Sequence, residues 1–275
     1  MKKFSKVLTG LLICTAALGL FGCGNDKKEA PAAAKDEVLK IGVTAGPHAE
    51  IMDNIKKLAA KEGLKIEVVE FNDYVTPNVA LSQKELFANS MQHRPYLDAT
   101  LKKDPKFDLA ECFKTVNFPM AVYSTKIKKG EAIPDGATIA IPNDPSNGAR
   151  ALLLLAEKKL IEVKDLKDVT TSVADIKSNP HNFKFLELDA ATIPRSMPDV
   201  TVAVVNANYA LPAGLNPLKD SLLVEGDSPF VNIFVCRKDT VNDPRIKQLQ
   251  KIYQSEANDK FIADHFKGSI LPGWK

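Results

Sequence analysis

The sequence has 275 residues, of which 45% are hydrophobic and 26% are charged, so it can form a globular protein with a sizeable core. Its 37 Lys and Arg residues exceed its 34 Asp and Glu residues by three, and three lysines (Lys2, Lys3 and Lys6) lie at the extreme N-terminus. Removing these three from 37 leaves 34 basic residues, equal to the 34 acidic ones, which argues against a nucleic-acid partner.

The N-terminal segment has the pattern of a bacterial export signal. The three lysines precede an apolar run at residues 7–21, too short to span a bilayer comfortably, and the run ends in Gly22-Cys23. A small residue before a cysteine at this place resembles a bacterial lipobox. The resemblance implies removal of a signal peptide at residues 1–22 and attachment of diacylglycerol to the Cys23 thiol. The alternative is an ordinary secretory signal with an incidental cysteine.

Residues 23–36 combine charges, alanine and proline without apolar periodicity, which predicts a flexible tether. The front end therefore predicts a protein of the bacterial cell envelope, extracytoplasmic and lipid-anchored to a membrane. No second long apolar run follows, so no membrane-spanning segment is predicted. Cys112 and Cys236 lie far apart in apolar runs, where a disulfide and two buried thiols fit equally well.

From residue 38 onward, predicted strands alternate with predicted helices. Val38–Thr44 is the first strand, and it leads into a helix that Pro47 opens and Gly63 ends. The rest of this first set comprises strands at 64–71, 86–90 and 113–124, with helices at 79–83 and 95–103. The β-α-β-α order predicts parallel strands joined by right-handed crossovers, and therefore an α/β protein.

A charged, turn-rich segment at residues 127–136 interrupts this rhythm, and a second set follows. It comprises strands at 137–141, 183–188 and 200–205, with helices at 147–159 and 190–197. An apolar strand at 230–236 and two helices at 243–255 and 258–266 close the chain. These sets predict two lobes, each with a mostly parallel sheet flanked by helices and with a ligand cleft between them. Lobe 1 is expected to be discontinuous, with residues 38–124 and 228–275, and lobe 2 to span residues 125–227.

Four large side chains gather near the ends of two predicted strands: Tyr74, Met91, His93 and Tyr96. Tyr74 follows the strand at 64–71 within a turn-forming segment, and the other three lie where the strand at 86–90 gives way to a helix. Ligands of open α/β sheets bind outside the carboxyl ends of the strands, so these residues are candidate ligand contacts. The alternative is that they are ordinary packing and surface residues.

The segment PNDPSNGAR at residues 142–150 follows a predicted strand and opens a helix. Its Asn, Asp and Ser residues favour a helix cap, and Pro145 suits the first turn. Free N–H groups at a helix start attract a carboxylate, and the planar guanidinium of Arg150 matches a carboxylate with two parallel hydrogen bonds. Arg150 is therefore a candidate carboxylate ligand; the alternative is a solvated arginine.

Two asparagines are further candidates. Asn206 follows the buried run at 200–205, and Asn232 interrupts the apolar run at 229–235. A buried amide without a hydrogen bond costs about 1–3 kcal/mol, so each needs a partner. An amide can accept from an ammonium and donate to a carboxylate, which suits a zwitterion. Bonding to the neighbouring backbone is the alternative.

Motifs for covalent chemistry or cofactors are not found. The sequence has no GxxxxGK[ST], GxGxxG or GxSxG, so no cofactor is predicted. His48, His181 and His265 have no partners at metal-ligand spacing, and no metal is predicted. An exported enzyme with His93 as general base is an alternative function, although no nucleophile is paired with it.

Five ordered segments resemble the methionine-binding lipoproteins that feed ABC importers. They are DYVTPN at 73–78, QHRPYLD at 92–98, PNDPSNGAR at 142–150, NANYA at 206–210 and DSPFVN at 227–232. The resemblance covers nearly the whole mature chain. It implies the two-lobed type II periplasmic-binding-protein fold, capture of L-methionine, delivery to the permease and ATPase of an ABC importer, and no enzymatic activity.

The resemblance also implies roles for the candidate residues. Arg150 would bind the α-carboxylate, Asn206 and Asn232 would reach the amino-acid backbone, and the thioether would lie against Tyr74, His93 and Tyr96. Met91 departs from the family pattern, which usually has an aromatic residue before Gln-His. A related amino acid or a methionine-containing dipeptide is therefore an alternative ligand of the same fold.

Overall fold

A computed structural model of the chain describes residues 37–226 and 229–275. The predicted signal peptide at 1–22, the predicted lipidation site Cys23 and the predicted tether at 23–36 lie outside the described residues. Asp227 and Ser228, where the second predicted lobe gives way to the returning part of the first, also lie outside them. No helix in the described part of the chain is long and apolar enough to cross a membrane.

The strands of the described residues number fourteen in chain order. They are β1 Val38–Thr44, β2 Lys65–Phe71, β3 Ala88–His93, β4 Leu109–Lys114, β5 Val116–Asn117, β6 Met120–Tyr123, β7 Thr138–Pro142, β8 Glu162–Val163, β9 Ile176–Ser178, β10 Lys184–Leu188, β11 Val202–Asn206, β12 Leu223–Val224, β13 Asn232–Arg237 and β14 Leu271–Pro272.

Eight α-helices lie between or after these strands. They are α1 Pro47–Lys61, α2 Thr76–Ser82, α3 Arg94–Lys103, α4 Pro145–Glu157, α5 Ile193–Ser196, α6 Ala207–Ala210, α7 Pro244–Tyr253 and α8 Glu256–Phe266. Short 3₁₀ turns at Val173–Asp175 and Lys238–Thr240 complete the helical segments of the described residues. Helices α1 to α5 and α7 all have proline in their first turn, where its missing N–H leaves no helical hydrogen bond unmade.

Two five-stranded sheets organise the fold. The first sheet has the order β2-β1-β3-β13-β4, and the second sheet has the order β10-β7-β11-β6-β12. Each contains two parallel pairings and two antiparallel ones, the antiparallel pairings being those of β13 in the first sheet and β6 in the second. The predicted α/β class is confirmed. Both sheets are mixed because one strand in each, β13 in the first sheet and β6 in the second, runs against its neighbours.

Each sheet has its own hydrophobic core. In the first, Ile41 of β1 packs with Ile51 and Ile55 of α1 and with Leu249 of α7. The spacing of four between the two α1 isoleucines places both on one helix face, which fixes how α1 lies on the sheet. In the second, Ile139 of β7 belongs to a core formed by the apolar face of α4 and the buried strand β11.

The predicted strand at 113–124 is three separate strands, and the chain passes between sheets there. β4 pairs in the first sheet, β5 pairs with β14, and β6 pairs in the second sheet. Phe118 and Pro119 separate β5 from β6, and proline cannot donate a ladder hydrogen bond. The boundaries of the two lobes stay a prediction. The chain passes from the first sheet to the second between β4 and β6, before the predicted boundary at 124.

Strand β3 extends farther than the apolar run at 86–90 suggested, because its polar residues are buried and bonded. The Asn78 and Gln92 side chains exchange two hydrogen bonds of 3.0 and 2.7 Å, and Asn89 donates to Asn78 at 2.9 Å. All six residues of β3 are buried. Mutual bonding of the amides satisfies groups that would otherwise be costly in the interior.

Cys112 and Cys236 are free thiols in the neighbouring strands β4 and β13. Their sulfur atoms lie 2.7 Å apart. Residues distant in sequence are thus brought together by the return of β13 to the first sheet.

The contact between α4 and β7 gives a test of the fold. A Cβ atom at Gly148 would lie 2.9 Å from the Pro142 carbonyl oxygen, which is backbone and cannot rotate away. We expect Gly148→Ala to lower the free energy of unfolding by about 1–3 kcal/mol, as overpacking does elsewhere. Chemical denaturation measures this change. Stabilisation, which alanine normally gives within a helix, would contradict the described packing.

Candidate functional site

A cavity lies where segments of the two sheets face each other. All seven predicted ligand-binding residues line it: Tyr74, Met91, His93, Tyr96, Arg150, Asn206 and Asn232. Six further residues line it as well: His48, Gln92, Phe118, Asn147, Ala207 and Asn208. The fold thus brings to one place the candidates from the strand ends, Arg150 of the helix start and the two asparagines.

One wall comes from β3 and α3, with Met91 and His93 two positions apart on the strand and Tyr96 in the first turn of the helix. The His93 ring lies 6.3 Å from the Tyr96 ring and 5.0 Å from the Phe230 ring, both edge-on. Met91 is 3% exposed. A polarisable thioether among aromatic rings suits another thioether or an apolar ligand side chain.

The imidazole of His93 is held neutral and in one tautomer. Its Nδ1 accepts from the Tyr96 N–H at 3.2 Å, so the proton is on Nε2, which donates to Asn147 Oδ1 at 3.1 Å. Burial lowers the pKa of His93 to about 3, and the nearby Arg150 charge acts in the same direction. At neutral pH this side chain is therefore an uncharged wall and a fixed hydrogen-bond donor.

Tyr74 closes the cavity from the loop after β2. Its hydroxyl donates to Asn208 Oδ1 at 2.7 Å, and its own backbone oxygen accepts from the Tyr96 hydroxyl at 3.0 Å. Burial raises the pKa of both tyrosines, so both stay protonated and able to donate. The first of these bonds joins a loop of the first sheet to the segment after β11 of the second.

The start of α4 is arranged differently from the sequence prediction. The Asp144 side chain accepts from the Asn147 N–H at 2.9 Å and from both the Ser146 hydroxyl and the Asn147 amide. The Asn147 N–H, which the sequence suggested for a ligand carboxylate, therefore already donates to the Asp144 cap. The cap instead turns Asn147 so that its Oδ1 accepts from His93 and, at 2.8 Å, from Asn206 Nδ2.

Arg150 is buried and ion-paired. Its Nε and Nη2 donate to the two carboxylate oxygens of Glu225 at 2.9 and 2.5 Å, and Nη2 also donates to the Phe118 carbonyl at 2.7 Å. The guanidinium carbon lies 4.8 Å from the centre of the Phe230 ring. These hydrogen bonds to described residues use Nε and Nη2 of Arg150, so Nη1 is the nitrogen of the guanidinium that could donate to a ligand.

Two amide groups at the cavity are unsatisfied. Among the described residues, Asn206 Oδ1 and Asn208 Nδ2 are buried without a hydrogen-bond partner. One is an acceptor and the other a donor, and leaving such groups unpaired costs about 1–3 kcal/mol each. A ligand with both an ammonium and a carboxylate would satisfy such a pair.

His48, Asn147 and Glu225 are among the residues at the site that sequence reasoning missed. His48 follows Pro47 at the start of α1, and its Nδ1 lies 2.7 Å from Thr44 Oγ1. Asn147 lies in the same segment as Arg150, and this position could have indicated that it belongs to the site. Glu225 lies 75 positions from Arg150 in a segment with no distinctive pattern, and only the fold brings the two charges together.

No group of three or more His, Cys, Asp or Glu side chains in the described residues is arranged to hold a metal ion. The polar groups around the cavity are amides, phenols, neutral imidazoles and one guanidinium–carboxylate pair. This composition suits recognition of a small polar molecule by hydrogen bonds.

Known proteins that are similar to this chain over nearly its whole length are lipoproteins. The model of the NlpA lipoprotein family matches residues 39–274. Outer membrane lipoprotein 2 of Mannheimia haemolytica is 43% identical, with 98% of this chain and 99% of that protein covered. D-methionine-binding lipoprotein MetQ of Escherichia coli (strain K12) is 40% identical, with 99% of this chain and 98% of that protein covered.

Solved structures agree with this. A nutrient binding protein from Burkholderia cenocepacia bound to methionine is 43% identical with a TM-score of 0.82, over 86% of this chain and 99% of that one. An ABC transporter, periplasmic substrate-binding protein from Coxiella burnetii is 41% identical with a TM-score of 0.82, over 86% of this chain and all of that one.

The buried imidazoles predict acid sensitivity. Burial lowers the pKa of His48 and of His93 to about 3, below the ordinary value of 6.5. The unfolded chain therefore binds more protons than the folded one between pH 3 and 6.5, so stability falls as pH falls through that window. Each histidine contributes a slope of up to about 1.4 kcal/mol per pH unit.

Denaturant unfolding of ligand-free protein at several pH values measures this slope. Replacing His93 with Gln should reduce this slope, because the variant lacks a group whose pKa is lowered by burial. An equal slope in the wild type and in His93→Gln would contradict a neutral, buried His93.

Proposed function

The chain belongs to the NlpA lipoprotein family, and from that premise we propose that it is a membrane-anchored, extracytoplasmic binding protein that captures methionine for an ABC importer. The observation that carries the proposal is the cavity between the sheets. It combines a guanidinium donor and an unpaired amide acceptor with a wall of Met, His and Tyr side chains. A zwitterionic amino acid with an apolar, polarisable side chain fits both features.

Arg150 is the proposed contact for the ligand carboxylate. Its Nη1 is available, and Glu225 and the Phe118 carbonyl hold the rest of the guanidinium in place. A charge-assisted hydrogen bond in a water-poor cavity is stronger than the same bond in water. Because the guanidinium is already oriented, little side-chain entropy is lost when the ligand binds.

Asn206 is the proposed contact for the ligand ammonium. Its Nδ2 is committed to Asn147 at 2.8 Å, which fixes the direction of the unpaired Oδ1. Asn232 is the first residue of β13 and also lines the cavity, and it is the proposed second contact for the amino-acid backbone. The ligand would thereby satisfy amide groups that are otherwise buried at a cost.

The proposed contacts of the thioether are Met91, His93, Tyr74 and Tyr96. Aromatic edges and a methionine sulfur attract a ligand sulfur by roughly 0.3–1.5 kcal/mol for each such contact. The neutral state of His93 supports this assignment, since a charged imidazole would disfavour an apolar side chain.

We infer that the described conformation is the closed one of two lobes that correspond to the two sheets. Two hydrogen bonds cross the cavity, from Tyr74 to Asn208 and from His93 to Asn147. In our proposal, the ligand favours the closed state because it contacts groups from both lobes. The importer can then distinguish the ligand-bound protein from the empty one by its closed conformation. The proposed anchor is diacylglycerol on Cys23, joined to the lobes through residues 23–36.

The protein is a binding protein and not an enzyme, as its family indicates. The alternative that assigned general-base catalysis to His93 is also disfavoured by its surroundings. Its Nδ1 accepts from a backbone N–H and its Nε2 donates to Asn147, so neither nitrogen is free to take a substrate proton.

Isothermal titration of ligand-stripped protein tests the proposal directly. We expect heat of binding with methionine, and titrating the L and D enantiomers separately identifies the preferred one. Arg150→Ala should weaken binding by at least about 30-fold, because loss of one member of a buried charge pair costs about 2–5 kcal/mol.

Arg195→Ala is the matched control, since Arg195 is exposed on α5 and does not line the cavity. Circular dichroism checks that the Arg150 variant is folded. The absence of heat with both enantiomers would exclude methionine as ligand. Unchanged affinity in a folded Arg150→Ala protein would remove Arg150 from the site.

Met91 gives a second test, of side-chain selectivity. We expect Met91→Phe to increase the preference for methionine over leucine by a few-fold, because a rigid ring replaces a side chain that adapts to many shapes. Competition titration of the two amino acids against wild type and variant measures the preference. An identical ligand profile in both proteins would show that Met91 does not determine selectivity.

A further inference from the structure

The charge of Arg150 is balanced within the protein before any ligand arrives. Glu225 Oε1 accepts from Arg150 Nε at 2.9 Å, and Oε2 accepts from Arg150 Nη2 at 2.5 Å and from the Met120 N–H at 3.0 Å. The two side chains are only 3% and 6% exposed. Water therefore contributes little to screening these charges, and each is the other's principal counter-charge.

The other titratable groups facing the cavity are uncharged near neutral pH. Burial lowers the pKa of His48 and His93 to about 3 and raises the pKa of Tyr74 and Tyr96 above the ordinary value. The lining of the cavity, with the carboxylate that pairs with its guanidinium, therefore has no net charge.

Asp144 is an acidic residue close to the cavity, and its carboxylate is bonded to residues of its own helix start. Its side chain accepts from the Ser146 hydroxyl and from the N–H and amide of Asn147. These donors belong to the N-terminus of α4, whose positive helix end favours a carboxylate. Asp144 is therefore satisfied by the helix that it caps.

A neutral, buried cavity discriminates by the net charge of what enters. A zwitterion adds no net charge: its carboxylate meets Arg150 Nη1 and its ammonium meets Asn206 Oδ1. A ligand without the ammonium would place a second carboxylate on a guanidinium that Glu225 already neutralises. A ligand without the carboxylate would bring an uncompensated cation into the interior. Burying an unpaired charge is costly in either case.

We propose that Glu225 is a specificity-determining residue that restricts this cavity to ligands of zero net charge by neutralising Arg150 in place. The inference rests on the proposed binding of methionine and names the charge class that the site selects. Glu225 does not touch the ligand in this account. It acts through Arg150, both by orienting the guanidinium and by cancelling its charge.

Three ligands separate charge from shape: methionine, methionine lacking its amino group, and methionine lacking its carboxylate. Each of the last two is smaller than methionine, so neither can be excluded by a clash. Titration calorimetry with the wild-type protein should give tightest binding for methionine and at least 100-fold weaker binding for both charged analogues.

Glu225→Gln is the test variant. Removing the negative charge leaves the Arg150 guanidinium uncompensated. The affinity for the desamino analogue should therefore rise relative to the affinity for methionine, and the ratio of the two dissociation constants should shift by at least tenfold. The decarboxylated analogue should stay weak or become weaker. Glu225→Asp keeps the charge on a shorter side chain and should retain the wild-type ratio even where absolute affinity falls.

Glu157→Gln is the matched control, because Glu157 lies at the end of α4 with a half-exposed side chain and should leave the ratio unchanged. An unchanged ratio in a folded Glu225→Gln protein that still binds methionine would overturn the inference and leave the proposed function standing. Wild-type protein that binds no methionine would instead overturn the proposed function. If Glu225→Gln does not fold, an altered ratio in Glu225→Asp would contradict the charge-based account.

Discussion

The buried ion pair between Arg150 and Glu225 is the interaction on which the site depends. It joins α4, the segment after β12 and the crossover between the sheets, since Arg150 bonds the Phe118 carbonyl and Glu225 bonds the Met120 N–H. A buried pair adds little net stability compared with apolar residues, but loss of one partner is severe. Its value here is positional: it fixes a guanidinium at the point where the chain passes from one sheet to the other.

Local sequence patterns predicted much of the architecture. β1 was predicted with the bounds it has, and the helix from Pro145 followed from its cap and proline signals. The strand-end rule, the helix-start pattern and the buried amides together predicted seven residues that line one cavity. The remainder depends on contacts between distant segments. No local hydrophobic pattern indicates that Glu225 is the partner of Arg150. None indicates the antiparallel strands that make both sheets mixed.

The polar strand β3 shows why an apolar pattern was an incomplete guide. Asn89 and Gln92 are buried in this strand and bonded to each other and to Asn78 of α2. A network of this kind is stable only when its members are satisfied, and it then permits one arrangement of the strand. That arrangement positions Met91 and His93 along the cavity wall. Hydrophobicity ended the predicted strand at Ser90, whereas amide bonding extends it to His93.

The bond from the Tyr74 hydroxyl to Asn208 has a kinetic consequence. This bond and the one from His93 to Asn147 both span the cavity, so in the proposed closed state a bound molecule would leave only after both have broken. The dwell time of the ligand is therefore governed by how often the two sides separate, rather than by the strength of any one contact to the ligand. A docked transporter that pulls the sides apart would release the cargo without having to weaken the pocket itself.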